Sequence, residues 1–422
     1  MDDKLRIGVL GLGVVGGAVV KILKENESII TARAGKKIEV VKGVTREPEK
    51  AAHLGIEVST DADFVLKDES IDVVVELMGG IDFPYAVVKD ALKSGKSVVT
   101  ANKAMLAYHR SELEELAKNL HFGYEASVAG GIPVIYALRD GLAANHILSI
   151  KGIVNGTCNY ILTRMMKEGA GFAGVLSDAQ RLGYAEADPT LDVGGGDAAH
   201  KLLILASIAY GIDAKPEDIL IEGITEIESD DIEFAKDFGY VIKLLAVAKK
   251  RGGTVELRVH PALISEEHIL ADVDGVMNAV AITGDKVGET MFYGAGAGGD
   301  ATASAVIANL IEIARSESPA AMMGFNRPLE TGLNLASKGD IEGKYYIRIE
   351  AKDEVGVLGK IAAVLADNGI SIENFKQKNK GDSASLLFST HEAKEANIQK
   401  ALEEASKLSC IAKKPNMIRI EG

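Results

Sequence analysis

The sequence predicts an α/β fold for the amino-terminal part of the chain and a small βαββαβ module at its carboxyl end. Over about the first 130 residues, short β-branched segments alternate with helix-like segments, which is typical of a parallel sheet with crossover helices. A glycine-rich turn follows the first predicted strand. At 422 residues the chain is long enough for roughly two to four domains.

The elements of the amino-terminal region follow one another in a regular order. Strands are predicted over residues 5–10, 38–44, 71–77, 97–100 and 123–128, and helices over residues 15–25, 84–94 and 111–119. From about residue 132 the pattern changes to a helix over 134–142, followed by longer strands and mixed helices. A glycine cluster and a helix over 301–313 are expected to return to the first domain.

The carboxyl-terminal region predicts a separate module. Strands over 345–350, 371–377, 383–389 and 417–420 and helices over 357–368 and 394–406 follow the ferredoxin-like order. Residues 317–343 contain glycines, two prolines and little periodicity, which indicates a linker. We therefore expect a dinucleotide-type domain at 1–131, completed by about 292–316, an α+β domain at 132–291 and a terminal domain at 344–422.

Composition excludes several classes of protein. The 47 Lys and Arg residues against 61 Asp and Glu residues leave a net charge of −14, so nucleic acid is an unexpected partner. Cys158 and Cys410 are too few for a disulfide framework, which favours a reduced, cytoplasmic setting. The acidic start of the chain does not resemble a signal peptide, and its apolar runs are too short to span a membrane.

The segment GLGVVG, residues 11–16, has the spacing of a dinucleotide-binding turn. Gly11 allows the tight turn, Gly13 lets the backbone approach a pyrophosphate, and Gly16 lets the following helix pack closely on the strand. Val14 and Val15 open that helix, whose amino terminus attracts phosphate. The position after an apolar strand predicts a Rossmann-type domain, although a purely structural glycine turn is the alternative.

The second strand departs from the usual NAD pattern. An acidic residue normally ends this strand and binds the ribose hydroxyls, whereas here the strand is followed by Arg46. A guanidinium group can pair with a 2′-phosphate, which favours NADP over NAD. Alternatively, Arg46 is a solvated loop residue.

Two further segments place charged residues where packing alone would not require them. Lys103 follows the strand at 97–100, at the sheet edge where ligands of open parallel sheets bind. Asp197 and Lys201 are four residues apart at the start of an apolar helix, where a lysine is suited to proton transfer. The alternatives are a surface lysine for Lys103 and a simple cap with an ion pair for Asp197 and Lys201.

Together these motifs resemble the long form of homoserine dehydrogenase. The resemblance covers about residues 5–320 and then an ACT domain, and it is carried by the segments GLGVVG, TANKAMLA, YEASVAGGIP, IVNGTCNYIL, GYAEADPTLDVGGGDAAHK, GAGAGGDATASAV and YYIRIEAKDEVGVLGKIAAVLADNGISI. It implies NAD(P)-dependent interconversion of L-homoserine and L-aspartate 4-semialdehyde, a step toward threonine, methionine and isoleucine. It also implies a catalytic and dimerisation role for the second domain, in a homodimer or homotetramer.

The resemblance implies roles for individual residues. Lys201 matches the proton donor to the substrate oxygen, Lys103 the lysine near nicotinamide and substrate, and Asp197 and Glu186 the acids that bind the amino acid. Further cofactor contacts are implied for Gly79, Gly183 and Gly298.

A monovalent-cation site, most simply for sodium, is implied as well. Its ligands would be Glu125 and the backbone carbonyls of Val128, Gly130 and Ile132. Oxygen ligands suit a hard cation, but an ordinary loop stabilised by Glu125 is the alternative.

The ACT domain implies an amino-acid effector. Threonine is expected, bound near Asp353, Gly356 and Leu358 and, from a second copy, near the helix end at Asn368. The alternative is an ACT domain that only assembles subunits.

Two other functions remain open at this point. A phosphorylating aldehyde dehydrogenase would share the dinucleotide domain and would use Cys158 as nucleophile. A non-catalytic sensor would bind a dinucleotide and an amino acid without needing the lysines.

Overall fold

The computed structural model describes residues 4–327, 329, 332–381 and 383–421. The chain divides into two compact units. The first comprises residues 1–148, 200–216 and 278–332, and the second comprises residues 149–199, 217–277 and 333–422. No helix in the described part of the chain has both the length and the apolar character needed to cross a membrane.

The first unit is built on a six-stranded, fully parallel sheet in the order β3-β2-β1-β4-β5-β6. Its strands are β1 (Lys4–Leu10), β2 (Lys37–Val44), β3 (Glu57–Ser59), β4 (Val73–Glu76), β5 (Ser97–Thr100) and β6 (Phe122–Gly123). This order has a switch point between β1 and β4, where dinucleotides bind in doubly wound sheets. The predicted Rossmann-type fold is therefore confirmed.

Helices cover this sheet and complete the first unit. They are α1 (Val14–Glu25), α2 (Glu27–Ala34), α3 (Pro48–Ala51), α4 (Asp63–Leu66), α5 (Asp82–Lys93), α6 (Lys103–Leu116) and α7 (Val134–Tyr136), with α13 (Gly299–Arg315) added from later in the chain. Ala303, Val306 and Leu310 of α13 share one apolar core with Val19 of α1. The chain thus returns to the first sheet after a long excursion.

Two sequence-based predictions in this region were wrong. The helix predicted over 111–119 begins much earlier, at Lys103, because Asn102 accepts a hydrogen bond from the amide of Met105 and caps it. The strand predicted over 123–128 ends at Gly123 and continues as a 3₁₀ turn over Glu125–Ser127. The buried side chain of Glu125 binds backbone amides at the start of α7, which a continuing strand would not allow.

The second unit contains several helices and a mixed sheet. The helices are α8 (Gly156–Glu168), α9 (Phe172–Arg181), α10 (Thr190–Val193) and α12 (Ser229–Asp237), followed by α14 (Val357–Asp367) and α15 (Glu395–Ser406). Helix α11 (Gly196–Tyr210) begins in the second unit, and its residues from His200 onward belong to the first. The strands are β7 (Ile147–Ile153), β8 (Leu220–Ile221), β9 (Tyr240–Arg251), β10 (Thr254–Ser265), β13 (Asn334–Leu335), β14 (Glu342–Lys352), β15 (Ile372–Asn379), β16 (Ser383–Thr390), β17 (Ala393–Lys394) and β18 (Asn416–Glu421). The remaining strands, β11 (Met277–Gly284) and β12 (Gly288–Ala295), fall almost wholly in the first unit.

The carboxyl-terminal module has the predicted βαββαβ order, and its sheet continues that of the preceding region. β18 pairs in parallel with β10 and antiparallel with β14. The segment predicted as a linker contributes β13, which pairs with the start of β10. These pairings join the module to residues 217–277 through backbone hydrogen bonds.

Buried ion pairs reinforce this junction. Asp231 of α12, fully buried, accepts hydrogen bonds from Arg348 and Tyr346 of β14, each at 2.8 Å. The guanidinium group of Arg419 in β18 donates two hydrogen bonds to the carboxylate of Glu222, at 2.7 and 2.9 Å. Removing one partner of such a pair would leave a costly uncompensated charge, so these contacts hold the module to the residues before it.

Candidate active site

The glycine turn has the geometry of a phosphate-binding loop. Gly11 has φ +101°, and a Cβ atom there would lie 2.6 Å from the carbonyl oxygen of Leu77. A Cβ at Gly16 would lie 2.1 Å from the carbonyl oxygen of Gly11. Neither position therefore accepts a side chain. At Gly13, by contrast, an added Cβ meets none of the described residues within 4 Å, which leaves the start of α1 open to a ligand.

A second helix begins beside this turn. Gly298, with φ +124°, is the N-cap of α13, and a Cβ on the next residue, Gly299, would lie 2.9 Å from Cγ1 of Val14. The side chain of Val14 is 80% exposed. The structure thus brings two helix amino termini together, and both carry the unpaired N–H groups and dipole that favour a diphosphate.

Two other predicted cofactor residues lie on loops near the same sheet edge. The carbonyl of Val44, which ends β2, accepts a hydrogen bond from Gly11 at 2.9 Å, and exposed Arg46 follows two residues later. Gly79 belongs to the loop after β4, the strand beside β1. An added Cβ at Gly79 meets none of the described residues within 4 Å.

Lys103 is half-buried and is the first residue of α6. The segment before it is organised by a carboxyl group that our sequence analysis missed, that of Glu76. Oε2 of Glu76 accepts a hydrogen bond from the hydroxyl of Thr100 at 2.6 Å, and Oε1 accepts one from the amide of Met78 at 2.7 Å. The acid at the end of β4 was the available signal, since strand residues buried on both faces are ordinarily apolar.

Helix α11 carries the two charged residues singled out by their spacing. Asp197 and Lys201 are 4% and 9% exposed, although both are ionisable. Asp197 accepts a hydrogen bond at 2.9 Å from Nδ2 of Asn155, which also donates to Asp192 at 2.8 Å. The sequence analysis did not predict a functional role for Asn155. The sequence showed only that an asparagine precedes α8, where it is the N-cap residue.

Glu186 lies in an exposed segment of the second unit. The side-chain amide of Gln180 donates to the carbonyls of Glu186 at 3.1 Å and Ala187 at 3.3 Å, and the side chain of Glu186 is exposed. Gly183, just before it, has φ +77°, a conformation that favours glycine.

The predicted cation ligands lie in a tight turn of the first unit. Glu125 is 1% exposed and accepts hydrogen bonds from the amides of Ile135 at 2.9 Å and Tyr136 at 2.8 Å, and burial raises its pKa to about 7. Ala129 and Gly130 both have φ +54° and reverse the chain between Val128 and Ile132. The carbonyl of Ile132 also accepts a hydrogen bond from the amide of Val134 at 2.8 Å. The candidate ligand oxygens of Glu125 and Ile132 therefore already accept hydrogen bonds within the protein.

The described residues contain no cluster of three or more His, Cys, Asp or Glu side chains that could hold a metal.

The predicted effector residues lie around α14. Gly356, with φ +86°, is the N-cap of α14, the preceding Val355 is fully exposed, and Leu358 is 40% exposed. Asp353 interacts with Gln377 at 3.4 Å. At the other end of the helix, Asn368 donates to Glu404 of α15 at 2.6 Å.

Cys158 does not fit the alternative nucleophile. It is fully buried near the start of α8, and its Sγ lies 3.2 Å from the carbonyl oxygen of Asp192. Cys410 is also buried, in the core of the carboxyl-terminal module.

A parallel sheet with a switch point, an open glycine turn at a helix amino terminus and a buried lysine on a neighbouring helix define a nicotinamide-dependent oxidoreductase. Three family models match the chain. They are the homoserine dehydrogenase NAD-binding domain over residues 11–125, the homoserine dehydrogenase domain over residues 133–311 and the ACT domain over residues 345–410.

Full-length relatives agree with these matches. The chain is 56% identical to a homoserine dehydrogenase of Helicobacter pylori, with 100% of both chains covered. It is similar, with a TM-score of 0.93 and 42% identity over 99% of this chain and 98% of the other, to the crystal structure of a homoserine dehydrogenase from Thiobacillus denitrificans. A hyperthermophilic archaeal homoserine dehydrogenase in complex with NADPH matches with a TM-score of 0.63 and 29% identity over 77% of this chain and 100% of the other.

The chain belongs to the homoserine dehydrogenase family and has a carboxyl-terminal ACT domain. The predicted family, fold class and enzyme class are thereby confirmed, and so is a nicotinamide cofactor.

Proposed function

We propose that the chain interconverts L-homoserine and L-aspartate 4-semialdehyde with NADP. The observation that carries the proposal is α11, which buries Asp197 and Lys201 one turn apart in a chain 56% identical to a homoserine dehydrogenase along its whole length. A dehydrogenase needs a proton donor, and a lysine held close to a carboxylate on a buried helix is suited to that task.

The residues divide the work as follows. When bound, the nicotinamide supplies the hydride for the aldehyde carbon, or accepts it in the reverse direction. Lys201 gives the proton to the substrate oxygen and takes it back in the oxidation, and Lys103 stabilises the negative charge that develops on that oxygen. Glu186 and Asp197 bind the ammonium group of the amino acid.

The cofactor would be held by the glycine turn, by three further glycines and by Arg46. The amino terminus of α1, with Gly11, Gly13, Val14, Val15 and Gly16, would bind the diphosphate, with Gly79, Gly183 and Gly298 in further contact. The 2′-phosphate would be held by Arg46. Its exposed guanidinium follows the strand that contacts the glycine turn, which is the support for NADP rather than NAD.

A sodium ion fits the chemistry of the loop at residues 125–132. The donors would be the Glu125 carboxylate and the carbonyls of Val128, Gly130 and Ile132, all oxygen, and consecutive left-handed residues orient that turn. The ion would hold this loop in place rather than take part in the reaction.

The ACT domain would bind threonine at Asp353, Gly356 and Leu358, with Asn368 of a second copy completing the site in a homodimer or homotetramer. The open loop at Val355 and the helix amino terminus at Gly356 support an anionic ligand group there. The enzyme would work in the cytoplasm, a reducing setting that suits two cysteines that are free and buried.

The experiment is an absorbance assay for reduced nicotinamide with L-homoserine and either NADP or NAD. We expect reduction that depends on L-homoserine and none with L-serine, which is one carbon shorter. No reduction with either cofactor would leave a non-catalytic sensor. Reduction of cofactor by the semialdehyde and phosphate, lost on thiol alkylation, would instead indicate the phosphorylating enzyme.

A further inference from the structure

Glu76, at the end of β4 in the first unit, is a buried carboxyl group to which the reaction proposed above assigns no role. Its side chain is 0% exposed. Neighbouring positions of the same strand are Val73, Val74 and Val75, so an apolar residue would fit the sheet at much lower desolvation cost. A carboxylate at this position therefore requires an explanation beyond packing.

Two short hydrogen bonds to Glu76 come from two different segments. The amide of Met78, which donates to Oε1 at 2.7 Å, belongs to the loop at residues 77–80 that contains Gly79. The hydroxyl of Thr100, which donates to Oε2 at 2.6 Å, ends β5. The carboxylate thus joins the loop after one strand to the end of the next strand.

Asn102 extends this connection to α6. Its backbone amide donates to Oγ1 of Thr100 at 2.9 Å, and its side-chain amide donates to the carbonyl of Gly80 at 2.9 Å. Its Oδ1 accepts from the amide of Met105 at 3.0 Å and so caps α6, which begins at Lys103. Lys103 is therefore fixed to the 77–80 loop through a continuous set of hydrogen bonds.

The direction of these bonds requires an acceptor at both carboxyl oxygens. Since the Thr100 hydroxyl already accepts from Asn102, its own proton is directed at Glu76, and the Met78 amide can only donate. A glutamine side chain has one acceptor and one donor, so it can satisfy only one of the two groups. Burial raises the pKa of Glu76 to about 7, and the hydroxyl of Thr100, the amide of Met78 and the side chain of Asn102 oppose that rise by stabilising the ionised form.

We propose that Glu76 is a positioning residue for the dehydrogenase reaction, which holds the 77–80 loop and the start of α6 in register and so sets the place of Lys103 beside the cofactor. The inference rests on the role proposed above for Lys103. It assigns to Glu76 no contact with substrate or cofactor.

The test measures kcat, KM for L-homoserine and NADP affinity in Glu76→Gln. Because small misplacements of a reacting group are costly, we expect kcat to fall by about tenfold or more while KM for L-homoserine stays within about twofold. Thr100→Val removes the hydroxyl that donates to Glu76 and keeps the shape of the side chain. It should likewise lower kcat and leave KM for L-homoserine nearly unchanged. An unchanged kcat in both variants overturns the inference.

Lys96→Met is the matched control for lost stability. Lys96 directly precedes β5, is 6% exposed, and donates to the carbonyls of Asp68 at 2.6 Å and Ile71 at 2.9 Å, at the opposite edge of the same sheet. We expect Lys96→Met to lower the melting temperature by about as much as Glu76→Gln does, while its kcat stays at the wild-type value. A similar loss of kcat in this control would reduce Glu76 to a general structural role and overturn the inference.

A double variant separates this inference from the proposed function. If Glu76 acts through Lys103, the kcat losses of Glu76→Gln and Lys103→Ala are not additive. Additive losses overturn the positioning role. If Lys103→Ala by itself retains full turnover, the proposed function of Lys103 has failed, whereas a loss in Lys103→Ala without one in Glu76→Gln refutes only the inference about Glu76.

Discussion

Nε of Arg110 donates a hydrogen bond to the hydroxyl of Ser207 at 2.6 Å, and this contact joins the two helices that carry the lysines, α6 and α11. Arg110 is 3% exposed and also donates to the carbonyls of Ala107 and Ala214. Nearer the start of each helix, Tyr108 and His200 meet edge to face with ring centroids 5.8 Å apart. The helix with Lys103 is thus braced against the helix with Lys201 inside one unit.

Replacing Arg110 with methionine should therefore lower both stability and turnover. Each buried acceptor left unsatisfied costs about 1–3 kcal/mol, and Arg110 serves several. Thermal unfolding and kcat are the measurements. Ser207→Ala removes only one of these partners and should give a smaller loss, and equal melting temperatures for wild type and Arg110→Met would contradict the bracing role.

Lys201→Ala should lower kcat by about 10²–10⁴, the usual contribution of a positioned proton donor. NADP affinity, measured by fluorescence titration, should stay nearly constant, because the diphosphate is proposed to bind at the glycine turn and not at Lys201. Retention of near wild-type turnover with L-homoserine would show that Lys201 is not the proton donor.

Glu186→Gln is the counterpart of Lys201→Ala for substrate binding. The exposed carboxylate is proposed to bind the substrate ammonium, so its neutral isostere should raise KM for L-homoserine more than it lowers kcat. The opposite pattern, a fall in kcat at constant KM, would assign Glu186 to the chemical step.

Arg46→Ala should weaken NADP binding and leave NAD binding unchanged. Loss of a charge-assisted contact to the 2′-phosphate corresponds to about 1.5–3 kcal/mol. Lys50→Ala is the matched control, since Lys50 is an exposed cation only four residues away and pairs with Glu47. Equal losses of affinity for both cofactors, or the same effect in Lys50→Ala, would refute the assignment.

Gly356→Ala should abolish inhibition by threonine at preserved basal activity. With φ +86° at this residue, an added Cβ strains the loop at the start of α14. The control is Gly381→Ala, which introduces the same change at φ +74° in the β15–β16 connection. Inhibition that is equal in wild type and Gly356→Ala would place the effector elsewhere, and no inhibition of the wild type would leave the ACT domain as an assembly module.

Removal of the whole ACT domain is a poorer test of regulation, for a reason that the structure supplies. Truncation before β14 would remove the partners of Asp231, namely Arg348 and Tyr346, and would strip β18 from β10. A buried aspartate without its arginine is destabilising by itself. Loss of activity in such a variant would therefore say little about an effector.

Local patterns were sufficient to predict most of the fold. The glycine turn, the alternation of strands and helices and the βαββαβ order depend on residues close together in the chain, and the helix starting at Gly299 lies close to its predicted position. Conversely, the helix at Lys103 and the turn after Gly123 were mispredicted. Their boundaries depend on the Asn102 cap and on the Glu125 side chain binding amides ten residues away.

The sequence by itself determined the family, the fold class and the candidate residues Lys103, Asp197 and Lys201. The order and spacing of the motifs can be identified without knowing how the chain packs. Only the tertiary structure decided which charges are buried and what they bind. Glu76 and Thr100 are 24 residues apart, and Arg110 and Ser207 are 97 residues apart, in the chain. Contacts over such separations arise when strands pair and helices pack, so no local pattern encodes them.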